Sequence, residues 1–82
     1  MSVTPCGNQA EVTAAISSNA VAIVAFGATI PDDFNKVQGA ALFSCGDAQA
    51  AQAFSVTETP TFIVFNGGKE KERFKAVAEI KL

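Results

Sequence analysis

The chain contains no histidine. A zinc site would therefore have to be built from carboxylates and two thiols, a poor ligand set for that metal. Cysteine is scarce as well. Cys6 and Cys45 are the only two, and their separation is far too wide for a Cys-x-x-Cys redox site. No apolar run reaches the ~18–20 residues that a membrane-spanning helix needs. The longest, around Ala20–Gly27, has the length of a buried strand. Met1-Ser2-Val3-Thr4-Pro5 places no basic region before an apolar stretch, so no secretory leader is expected. Excess positive charge is also missing. The formal net charge of −2 is the wrong sign for a phosphate-binding surface. These absences predict a cytoplasmic protein with no metal or other cofactor, and with neither nucleic acid nor membrane as its partner.

What is present is apolar. Hydrophobic residues make up 49% of the 82 residues and charged residues only 17%. That composition supports a packed core and argues against disorder. The length suits one domain, residues 1–82. A chain this short buries only ~60–65% of its unfolded surface, so its stability is expected to be marginal. Charge is uneven along the chain. Residues 1–68 carry five acids against Lys36, a net −4, and residues 69–82 carry five bases against three acids, a net +2.

Periodicity gives the order of elements. Residues 8–18 read as a helix capped by Asn8, with Val12, Ala15 and Ile16 on one face. Residues 20–26 are continuously apolar and rich in β-branched side chains, as a strand buried on both faces must be. Pro31, Asp32 and Asp33 suit the first turn of a short helix over residues 31–38. Residues 40–44 form the next strand candidate, and residues 47–54 a helix capped by Asp47. Residues 61–65 are a second buried strand. Asn66-Gly67-Gly68 is a hairpin turn, and Lys69 to Val77 the returning strand. This pattern predicts an α/β domain with a mixed sheet.

The segment Phe54-Ser-Val-Thr-Glu-Thr-Pro60-Thr-Phe-Ile-Val-Phe-Asn-Gly-Gly68 resembles the second half of the thioredoxin fold family. There an aromatic, a valine two residues on, a loop, Pro-Thr, an apolar strand and a glycine turn follow one another. Residues 21–28 resemble that family's central strand, and residues 42–47 its next strand and acidic loop. The resemblance covers most of residues 3–77. It implies three parallel strands and an antiparallel hairpin, with helices on both faces. It also implies a cis peptide at Thr59–Pro60, which a tight loop before a buried strand can accommodate.

The chain departs from the family where that family does its chemistry. Phe26-Gly-Ala-Thr-Ile-Pro31 runs from strand end to proline with no cysteine. If Pro31 matches the family's helix-bend proline, the redox loop and the first helical turns are deleted. Ala25 stands where the family has a buried acid. Attack on a disulfide needs an activated thiolate and a second, resolving thiol, and neither is found between Phe26 and Phe34. The second helix is thus shortened, and Ala78–Leu82 leaves the C-terminal helix nearly absent.

The reading that follows is a thioredoxin-like interaction module, redox-inactive for dithiol chemistry, with Thr59 and Pro60 as its peptide-binding surface. The alternative is an atypical thiol-disulfide oxidoreductase using Cys45, with Cys6 beside it at the ends of neighbouring strands. Their bland counterpart is two small buried side chains. A third reading is a shortened variant kept only for folding. Lys69-Glu-Lys-Glu-Arg73 reads as an edge strand guarded by charge. Shortened helices over a sheet that is apolar on both faces predict several hundred Å² of uncovered surface, and hence a homodimer or an obligate protein partner, unless Phe34, Val37, Ile80 and Leu82 fold over the sheet and suffice.

Overall fold

The computed structural model describes residues 3–82. Chain order is β1 (Thr4–Cys6), α1 (Gln9–Ser17), β2 (Val21–Phe26), a 3₁₀ turn (Asp32–Lys36), β3 (Ala41–Cys45), α2 (Ala48–Ala53), β4 (Thr61–Asn66), β5 (Lys69–Phe74) and a last 3₁₀ turn (Val77–Glu79). Both helices start where a side-chain acceptor waits for an orphan N–H. The Glu11 amide donates to Asn8 Oδ1 at 2.9 Å, and the Ala50 amide donates to Asp47 Oδ2 at 3.2 Å. Glu11 reaches back in turn, its carboxylate accepting from the Gly7 amide at 2.6 Å. That arrangement is close to a capping box.

The five strands lie in the order β1-β3-β2-β4-β5. β1, β3 and β2 are mutually parallel, β4 runs antiparallel to β2, and β5 runs antiparallel to β4. Gly67 and Gly68 connect the hairpin at φ 62° and 83°, the positive pair that a two-residue turn between twisted strands requires. Register slips once, between Val64 and Phe65, so Lys71 is the extra residue of a β-bulge. β5 is an outer strand, exposed from Lys69 to Arg73. Its alternating charges protect an edge that would otherwise template association.

The period-2 alternation of β2 and β4 splits the core in two. Ala22, Val24, Phe26, Ile63 and Phe65 face α1 and α2, meeting Val12, Ile16 and Ala50. Ile23, Ala25, Phe62 and Val64 face the other way. On that second face the expected helix over residues 31–38 shrinks to a five-residue 3₁₀ turn. Pro31 sits just before it in an extended conformation, as its cap. The bare face expected from that shortening is nevertheless not seen. Phe34 is fully buried there, its ring 5.2 Å from that of Phe62, and Ile30, Val37, Val77 and Ile80 pack around it. Ile23, Ala25 and Phe62 are 0% exposed. Among the described residues only Leu82 is a large hydrophobe left in solvent, at 51%. One aromatic and a few aliphatic side chains on irregular backbone thus cover this face of the sheet within a single chain.

Candidate functional site

Three chain segments meet at the C-terminal ends of the parallel strands. β2 ends at Phe26 and passes into Gly27, β3 ends at Cys45 and passes into Gly46, and the loop from α2 to β4 brings up Thr59 and Pro60. The Gly27 amide donates to the Cys45 carbonyl at 3.0 Å, carrying the β2–β3 ladder one residue past the strands. The Thr59–Pro60 peptide is cis. It lies against Gly27, whose φ is 151°. A Cβ there would stand 3.3 Å from Thr59 Cβ and 3.6 Å from Pro60 Cα. Glycine therefore lets the loop approach the strand end, and side chains rarely adopt that backbone conformation.

These segments border a cleft of about 280 Å³ that also touches Cys45, Gly46 and Gln52. Thr59 is exposed and Pro60 half-buried. Neither the N–H nor the C=O of Thr59 has a hydrogen-bond partner among the described residues. An exposed, unpaired backbone pair beside a cleft is what an added extended strand can satisfy.

The loop carrying this edge is tied down from β5. The Arg73 guanidinium donates to the Phe54 carbonyl and, at 3.0 Å, to that of Ser55. Ser55 is held at φ 59°, and the Thr61 hydroxyl donates to the Glu58 carbonyl. Glu70 pairs with Arg73, and Glu58 pairs with Lys75 at 2.8 Å. Hydrogen bonding to the two cations holds both carboxyls below their ordinary value of 4.5. By sequence alone Arg73 reads as one more charge on a guarded edge. Its structural role depends on a turn 18 residues upstream, and no local pattern signals that.

Cys6 and Cys45, the alternative thiol pair, do come together. They are directly opposite in the parallel β1–β3 register, and both side chains belong to the helix-covered core. Both are free and buried. Burial raises the Cys6 thiol above its ordinary 9.0, and the neighbouring Cys45 and Glu11 add to the rise. Cys6 is thus a poor thiolate at neutral pH. Thr59 lines the same cleft as Cys45. No thiol lies in the Gly27–Pro31 loop, and no helix begins there.

No known family profile matches the chain, and no curated protein matches it. Solved structures do. A point mutant of thioredoxin from Halobacterium salinarum NRC-1 superposes with a TM-score of 0.70 at 18% identity, covering 94% of this chain and 83% of that one. A cysteine-to-serine mutant of Entamoeba histolytica thioredoxin gives 0.76 at 20% identity, over 92% of this chain and 87% of that one. A designed protein gives 0.75 at 18% identity, over 93% and 86%. The chain therefore has a thioredoxin-like fold, a mixed five-stranded sheet with two α-helices. At such identities the likeness speaks for architecture and leaves activity to the site.

Proposed function

We propose that this chain is a non-catalytic protein-interaction module that takes an extended segment of a partner protein at the Thr59–Pro60 edge. The observation carrying this reading is the unpaired backbone of exposed Thr59 beside a cleft floored by Gly27 and Gly46. Main-chain bonding would supply affinity there, and the cleft would admit one side chain of the guest. Dithiol turnover is disfavoured by the same geometry. The strand-end loop holds no cysteine, the position of the family's buried acid is Ala25, and both thiols are buried.

Two measurements test the reading. In an insulin-reduction assay supported by thioredoxin reductase, the expected rate is background, unchanged in Cys45→Ser. Turnover comparable to thioredoxin, lost in that variant, sinks the proposal and favours the oxidoreductase alternative. In NMR titrations with a library of unstructured peptides, binders should shift the amides of Gly27, Gly46 and Thr59, and Thr59→Pro should abolish those shifts by removing the N–H. Sedimentation at ~100 μM reports whether the guest is a second copy of the chain, since two-faced coverage within one chain removes the general hydrophobic drive to dimerise.

A further inference from the structure

Peptide capture at Thr59 makes no use of sulfur, yet two thiols face one another across the sheet. We infer that Cys6 and Cys45 form a reversible disulfide on exposure to a peroxide, stapling the edge strand β1 to β3. The inference is independent of the peptide-binding reading.

Register carries the argument. Cys6 and Cys45 are Cα partners in a parallel pair, and neighbouring strands lie ~4.8 Å apart. That spacing falls inside the ~4.4–6.8 Å Cα window of disulfides. Both side chains leave the sheet on the same face, toward α1 and α2. A disulfide draws its Cβ atoms to ~3.8 Å, about 1 Å closer than parallel strands hold them. The two residues sit where that movement is easiest. Each is the last of its strand, and each is followed by a glycine, Gly7 and Gly46. β1 can also move, because it has only three residues and pairs with β3 alone.

Both residues border hollows that a small oxidant could enter. Cys45 borders the cleft at Gly27 and Gly46. Cys6 borders a separate hollow of about 390 Å³ between β1 and α1, lined by Pro5, Glu11, Ala15 and Phe43. Hydrogen peroxide is nearly the size of water, and larger disulfides are excluded by the burial of both residues. In the first step the Cys45 thiolate attacks one peroxide oxygen. An S–O bond forms, the O–O bond breaks, and the departing hydroxide takes up a proton as water. The sulfur is oxidised to a sulfenic acid. In the second step Cys6 sulfur attacks that of Cys45. The S–S bond forms, the S–O bond breaks, and the hydroxide leaves as water with the Cys6 proton. The net change is two thiols and one peroxide to one disulfide and two waters. Cys6 takes the resolving part because it is the thiol directly opposite Cys45 in the β1–β3 register.

The test treats the whole chain with a modest excess of hydrogen peroxide, then alkylates it in denaturant and weighs it. The expected product is a monomer two hydrogens lighter, without alkyl groups, restored to two alkylatable thiols by dithiothreitol. Cys6→Ser should instead leave Cys45 as a sulfenic acid captured by dimedone. Two free thiols after treatment, over-oxidised thiols, or only intermolecular dimers would overturn the inference. Hydrogen exchange reads the staple itself. The amides of Thr4 and Cys6 should exchange at least about tenfold more slowly once oxidised, because opening of β1 is then restrained. Unchanged exchange in a fully oxidised sample refutes the structural role. Thr59→Pro should oxidise as the parent does, so loss of peptide binding and loss of the disulfide are distinguishable.

Discussion

Replacing Phe34 with alanine removes the ring that stands in for a missing helix. Phe34 is 0% exposed, packs at 5.2 Å from Phe62, and covers Ile23, Ala25 and Val64 on the face away from α1 and α2. A buried Phe→Ala change costs about 3–5 kcal/mol, combining the lost transfer energy with the cavity left behind. A domain of this length has a total stability of about 4–12 kcal/mol. The variant should therefore lose between about a quarter and all of its stability. Urea unfolding followed by circular dichroism would show a midpoint far below that of the parent, with the slope retained. The opened face holds Ile23, Phe62 and Val64, so the variant should also associate in a concentration-dependent way that the parent does not show. Phe34→Leu, which keeps most of the volume, should recover the greater part of the loss. A fall below about 1 kcal/mol for Phe34→Ala, with no association, would mean that the 3₁₀ segment is not what closes this face.

The smaller interactions lend themselves to similar tests. Asn8→Ala and Asp47→Ala each remove a helix cap and should cost about 1 kcal/mol by chemical unfolding. Gly27→Ala places a Cβ 3.3 Å from Thr59 at a φ that side chains rarely adopt. It should destabilise by about 1–3 kcal/mol and displace the Thr59 amide resonance. The Glu70 carboxyl is held low by its hydrogen bond to Arg73, so its contribution is present above 4.5 and disappears as pH falls through the folded value. Glu70→Gln should flatten the loss of melting temperature as pH falls below 4.5, by an amount worth at most about 1 kcal/mol at so exposed a pair. Cys6 has the opposite sign. Its thiol is raised above 9.0 by burial, by Cys45 and by Glu11, so its contribution is complete below that pH and is lost as pH rises through the folded value. Cys6→Ala should remove that alkaline slope from a plot of melting temperature against pH.

The architecture was legible in the residues because its signals are local. Alternation in β2 and β4 assigns each side chain to a face, Asn8 and Asp47 announce helix starts within three residues, and Gly67-Gly68 dictates a turn by backbone sterics alone. The lack of a cysteine between Phe26 and Pro31 was legible for the same reason, since it is read directly from consecutive residues. What the sequence left open depends on groups far apart in the chain. Whether a short 3₁₀ turn could cover a sheet face was a question of volume, and the ring of Phe34 settled it by packing on Phe62, 28 positions later. Arg73 looked like one solvated charge among several until the fold set it beside the carbonyls of Phe54 and Ser55. Cys6 and Cys45 stand 39 positions apart, and only the β1–β3 register makes them neighbours. Hydrophobic period and capping act over a few residues and survive reading in one dimension. Burial, loop anchoring and thiol pairing are properties of surfaces that exist only once the sheet has formed.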